Sequence, residues 1–278
     1  MRDKTIKQLV AGVVVVLAIV LVVAFCSEPK GGSSDSEAVG KSSDYSLQFS
    51  PEFRPGQASR DDLGVSVVLA VDVSGSMFDI PLTGGPQKYI QASQALVRVV
   101  DVLERLVANS PSVQVIRLGI VKFDDDVVPL LPLTSLDVAT LRKVRSLVSD
   151  PNNFAPGNTT AIGAALELGA EWLAQSGTIL RSLIVVTDGI NTAGQDPERV
   201  LAAIYANRNS AATADFPVYT NTTLISLIGF DIDQGQFSAL EALGARVTSA
   251  ADEQQLSVVL SNLLEADITR LEAAALGD

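Results

Sequence analysis

The chain has 278 residues, 47% of them hydrophobic, and a formal charge of −12, which is material for a substantial core in one large or two small domains. It contains no histidine and a single cysteine, Cys26. This excludes Ser-His-Asp and Cys-His catalysis, histidine-ligated zinc, histidine pH switching, any intrachain disulfide and any cysteine-rich metal centre. The acidic balance also argues against nucleic acid as the partner, because phosphate binding draws on clustered Lys and Arg that this chain does not show.

Residues 9–25 form an apolar run of about 17 residues, at the lower limit for a helix that spans a bilayer. Arg2, Lys4 and Lys7 precede it, and positive charge ahead of a span keeps the N-terminus cytoplasmic, so that everything after Cys26 is exported. The expectation for residues 1–26 is an uncleaved membrane anchor. Cleavage as a signal peptide and lipidation of Cys26 are the alternatives. The run is long for a signal-peptide core, no Ala-x-Ala pattern follows it, and Phe25 stands where a lipoprotein has a small residue. Residues 27–61 carry Gly31-Gly32-Ser33-Ser34, Ser42-Ser43 and scattered acids and prolines without periodicity, the composition of a flexible linker.

From residue 62 onward, short buried strands alternate with amphipathic helices. The pattern predicts strands at 65–71, 113–123, 127–133, 183–187, 224–229 and 245–248. Helices are predicted at 89–107, 136–148, 160–175, 196–206, 237–243 and 253–268. Thr134 or Ser135 would cap the second helix, and Asp196-Pro197 supplies a cap followed by proline at the first helical position. Asp124-Asp125-Asp126 reads as a solvated hairpin turn between two strands. Such a succession implies an α/β, doubly wound domain at 62–270. Its central sheet would be mostly parallel, with one antiparallel edge strand and helices on both faces, and a short tail would follow at 271–278.

Three segments carry chemistry. Asp72-Val73-Ser74-Gly75-Ser76 places a carboxylate and two hydroxyls at alternate positions on a tight turn after an apolar strand, hard oxygen donors suited to a small divalent cation. Gly157-Asn158-Thr159-Thr160-Ala161-Ile162-Gly163 supplies a threonine at the opening of a helix, and Leu183-Ile184-Val185-Val186-Thr187-Asp188-Gly189 supplies an aspartate ending a buried strand. In open α/β sheets ligands bind beyond the carboxyl ends of the strands, so Asp72 and Asp188 are expected to meet there.

Together, in this order, the segments resemble the metal-ion-dependent adhesion site of von Willebrand factor type A domains, over roughly residues 62–268. The resemblance implies a Rossmann-like fold and assigns Asp72, Ser74 and Ser76 to a first metal loop, Thr160 to a second and Asp188 to a third. Thr159 is the fallback for Thr160. It also implies a divalent cation, magnesium first with manganese or calcium as alternatives, whose open position takes an acidic side chain from a partner protein. The expected function is thus a membrane-tethered, adhesion-like binding module and not an enzyme. A scaffold of an envelope assembly working with a chaperone ATPase is the alternative, and a metal-dependent hydrolase the third reading. No residue pattern fixes the oligomeric state.

Other features receive plainer readings. Asp231 and Asp233 follow a predicted strand and could rim the crevice, Trp172 reads as packing at helical spacing from Leu168, and residues 207–221 read as a long loop. Asn158-Thr159-Thr160 and Asn221-Thr222-Thr223 match glycosylation acceptors at a frequency expected by chance.

Overall fold

A computed structural model describes residues 64–109, 115–210 and 223–276. The expected anchor and linker at 1–61 lie outside the described residues. Among the described residues no helix is long and apolar enough to cross a membrane.

Six strands form one sheet in the order β3-β2-β1-β4-β5-β6. They are β1 (Gly64–Asp72), β2 (Val115–Phe123), β3 (Val127–Ser135), β4 (Leu180–Thr187), β5 (Thr223–Phe230) and β6 (Arg246–Ala250). All neighbours pair in parallel except β2 and β3, the hairpin at one edge. The edge strand β3 carries Pro129 and Pro132, which lack the N–H that a further strand would need, so the exposed edge is a poor template for pairing.

The central strands β1, β4 and β5 are apolar along most of their length because both faces of the sheet are covered there. Every residue of β1 is buried, and its alternating side chains serve two separate cores. Val65, Val67, Leu69 and Val71 face α1 (Lys88–Asn109), α2 (Val138–Val148) and α6 (Glu253–Leu276). Val68 and Ala70 face the other core, shared with α3 (Ile162–Ala174), α4 (Pro197–Ser210) and α5 (Ser238–Ala242). Each fully buried Val, Leu or Ile contributes roughly 1.5–3 kcal/mol, so the two cores, not helix propensity, hold the helices in place. Trp172 packs in the second core as expected. Its ring lies where a side chain at Gly119 would be, 3.0 Å from the Cβ position there.

The helices and strands fall where the periodicity placed them, with differences at their ends: β4, expected from 183, begins at Leu180. Thr134 and Ser135 do not cap α2, because pairing with β2 extends β3 through Ser135, opposite Arg117. The cap is Asp137, whose carboxylate accepts the Thr140 N–H at 2.6 Å. The stretch expected as a loop from 207 begins as helix, since α4 runs to Ser210. Likewise α6 continues to Leu276, through most of the expected tail.

From β1 the chain moves outward to β2 on one side, and β4 takes up the other side, so the strand order reverses between β1 and β4. A crevice opens at such a switch point beyond the carboxyl ends of the strands. Val71 pairs with Val186, which brings Asp72 level with Thr187 and sets Asp188 one residue further on.

Candidate metal centre

Three loops meet at this crevice, and backbone hydrogen bonds join each to the next. In the first, the Ser74 N–H donates to Asp72 Oδ1 at 2.7 Å, an Asx turn that folds the chain back into a short 3-10 turn, Gly75–Phe78. The Gly75 N–H donates to the Asn158 carbonyl at 3.2 Å, and the Gly157 N–H to the Val73 carbonyl at 2.5 Å, tying the first loop to the second. A Cβ on Gly157 would lie 1.7 Å from Asp124 Oδ2, so a larger residue here would force the Asp124 side chain to move. The second loop is joined to the third by Thr192 and Ala193, whose N–H groups donate to the Thr160 carbonyl at 2.9 and 3.2 Å. The Thr192 hydroxyl accepts the Thr160 N–H at 2.9 Å.

The proposed donors converge accordingly. Ser74 Oγ and Ser76 Oγ are 3.2 Å apart, and the Ser76 hydroxyl donates to Asp188 Oδ1 at 2.8 Å. Thr160 Oγ1 and Ser76 Oγ lie 3.6 and 3.9 Å from the position a Cβ on Gly189 would take, so both hydroxyls border the same small space beside Asp188. Asp72, Ser74, Thr160 and Asp188 are buried. Thr159, the fallback, turns away. Its hydroxyl donates to Asp125 Oδ1, and Asn158 Nδ2 donates to Asp125 Oδ2 at 3.2 Å. The triple-aspartate turn is therefore more than solvated polarity, because Asp124 and Asp125 buttress the second loop. These contacts hold the Asp125 carboxyl below its ordinary value, the Thr159 hydroxyl foremost.

Two carboxylates and three hydroxyls form an oxygen-only set, the chemistry of a hard divalent cation that keeps water or a borrowed ligand in its shell. Among the described residues no group of three or more His, Cys, Asp or Glu is arranged to hold a metal.

The electrostatics add two groups that sequence reasoning missed. Thr187 donates its hydroxyl to Asp72 Oδ2 at 2.5 Å, a partner set by register across β1 and β4 and invisible to local motifs. Lys88 Nζ, buried at the first residue of α1, donates to Asp188 Oδ2 at 2.9 Å and lies 3.3 Å from Asp231 Oδ2. The available signal for it was a lysine opening an otherwise apolar helix face, against the helix dipole. Burial alone would depress the Lys88 pKa, but Asp188 and Asp231 outweigh it and hold it above the ordinary 10.5. Asp231 does rim the crevice, whereas Asp233 caps the short turn Gln234–Phe237 by accepting the Gly235 N–H at 2.8 Å.

The Asp72 carboxyl is pushed up to about 6, chiefly by burial. Hydrogen bonds from Thr187 and Ser74 oppose the rise, and repulsion from Asp188, the cause that carboxylate pairing suggests first, adds least.

The sequence profile of the von Willebrand factor type A domain matches residues 66–256. No curated protein matches the chain significantly. Among solved structures, the conserved hypothetical protein BatB from Bacteroides thetaiotaomicron is 18% identical with a TM-score of 0.52, over 74% of this chain and 100% of that one. A von Willebrand factor type A protein from Catenulispora acidiphila is 18% identical with a TM-score of 0.53, over 74% of this chain and 42% of that one. The PilB minor pilin from Streptococcus sanguinis is 14% identical with a TM-score of 0.56, over 77% of this chain and 63% of that one. At these identities the likeness is one of fold, and this chain spans less than two thirds of the second and third structures. The profile match covers more than half of the chain, over the sheet and the three loops that meet at its switch point, and the chain belongs to the von Willebrand factor type A family.

Proposed function

We propose that this chain is a membrane-tethered, metal-dependent protein-binding module. A divalent cation, magnesium first and manganese or calcium as alternatives, bridges the crevice to an acidic side chain of a partner protein. The observation that carries this reading is the convergence of Asp72, Ser74, Ser76, Thr160 and Asp188 from three loops onto one space beyond β1 and β4. Five protein donors leave an octahedral ion one ligand short, and a partner carboxylate fills the open position. The apolar run at 9–25 and the linker composition of 27–61 support a tether that holds the domain on the exported side of a membrane.

A binding role is favoured over catalysis by the residues around the ion. The chain has no histidine, and the one ammonium in contact with Asp188 is tied up by two carboxylates. No free general base stands among the five donors.

The test is thermal unfolding of the full chain in detergent, with chelator and then with millimolar magnesium or manganese, beside Ser76→Ala and Asp72→Ala. Metal bound only by the folded state raises the midpoint by linkage. The expected result is a rise in the wild type, a smaller rise in Ser76→Ala and none in Asp72→Ala. No shift in the wild type at millimolar metal contradicts metal-bridged binding.

A further inference from the structure

Asp188 divides its two oxygens. Oδ1 accepts the Ser76 hydroxyl on the side of the hydroxyl donors, and Oδ2 accepts Lys88 Nζ at 2.9 Å on the other. The ammonium is enclosed, with the Lys88 side chain 9% exposed and those of Asp188 and Asp231 at 0% and 8%. It is also held from behind. The Lys88 N–H donates to the Asp79 carbonyl at 2.9 Å, closing the loop that follows the first metal segment. Asp231 accepts the Leu82 N–H from that same loop at 3.2 Å. Asp231 is the one non-glycine residue with positive φ among the described residues, at 56°, and its own N–H donates to the Ala250 carbonyl at 2.8 Å. A left-handed aspartate and a lysine at the first turn of a helix are each locally unfavourable. Lys88 thereby sets its charge against both Asp231 and Asp188.

We propose that Lys88 is the built-in counter-cation of the site. It satisfies Asp188 and Asp231 when no divalent ion is bound, and it holds divalent affinity well below what the carboxylates alone would give. The proposal rests on the metal-binding reading above. Without Lys88, the Asp188 and Asp231 carboxylates lose the one cation that both contact, which favours a divalent ion and penalises its absence. With Lys88, the domain keeps its fold without metal, and an incoming ion meets a positive charge fixed one carboxylate away. Metal is then held firmly only when another anion joins the site, so metal and an acidic partner bind each other's complex more tightly than either binds alone.

The experiment is titration of the full chain in detergent with Mn2+, reading free ion by electron paramagnetic resonance, together with unfolding midpoints in chelator. Wild type, Lys88→Met, Lys88→Arg and Asp231→Asn are compared. The expected result is that Lys88→Met binds Mn2+ about tenfold more tightly or better and has a lower midpoint in chelator that Mn2+ restores. Lys88→Arg, which keeps the charge, stays near the wild type. Asp231→Asn keeps an acceptor for the Leu82 N–H but removes negative charge, and binds Mn2+ more weakly; it decides the matter should Lys88→Met fail to fold. Mn2+ binding by Lys88→Met that equals or falls below the wild type overturns the proposal while leaving the metal site standing. So does binding by Asp231→Asn that equals or exceeds the wild type. Absence of Mn2+ binding in wild type and Lys88→Met alike overturns both readings together.

Discussion

At the crevice, Asp72 is the residue on which burial acts most strongly. Its carboxyl titrates near 6 in the folded chain against 3.8 in a free side chain, so the folded state binds the proton more tightly than the unfolded state does. The contribution of this group to stability is therefore greatest below about pH 4, declines as pH rises through the interval up to 6, and is constant above it. The full span is of order 3 kcal/mol. Urea unfolding of the chelated protein between pH 4 and 7 is expected to show this decline in the wild type and to lack it in Asp72→Asn. A divalent ion selects the ionised form, so Mn2+ affinity is expected to rise over the same interval. The cause separates this site from a simple carboxylate pair, since desolvation dominates and Asp188 contributes little. Much of that repulsion is offset where it would arise, because Asp188 faces Lys88 on one side and the Ser76 hydroxyl on the other.

Secondary-structure elements bring these residues together, and their order was legible from the alternation of short apolar runs with periodic helices. A parallel sheet covered on both faces needs strands like β1, buried at every position and polar only at Ser66 and Asp72. What sequence could not show was where an element ends when a neighbour decides it. Thr134 and Ser135 have the chemistry of a cap, but pairing with Arg117 keeps Ser135 in β3, and Asp137 caps instead. The motif residues were legible because each sits in a local run, whereas Thr187 and Lys88 were not, because register across the sheet and the start of α1 supply their partners. One close contact joins α3 to the segment that follows Asp188. A Cβ on Gly163, at the start of α3, would lie 2.2 Å from the Gln195 carbonyl oxygen in the segment that follows Asp188. Backbone on that side cannot rotate out of the way as a side chain can. Gly163→Ala is expected to lose about 1–3 kcal/mol in urea unfolding and to weaken Mn2+ binding as the third loop is displaced. Unchanged stability with unchanged binding would show that the loop yields freely.

Across the whole molecule, the fold and the site come from the same feature of topology. Reversal of strand order between β1 and β4 opens the crevice, and the chain spends its conspicuous polar motifs on the three loops that border it. The absence of histidine and the single cysteine narrow the chemistry of those loops to oxygen donors and one lysine. The anchor expected at 9–25 would fix the domain to a membrane surface, where a moderate affinity for metal and partner is amplified by high local concentration. The most direct measurement is anomalous diffraction from crystals of the protein grown with Mn2+. The account predicts one peak in the crevice, bordered by Asp72, Ser74, Ser76, Thr160 and Asp188, with the Thr159 hydroxyl still turned toward Asp125. No peak there at millimolar Mn2+, or a peak elsewhere with the crevice unchanged, would contradict it.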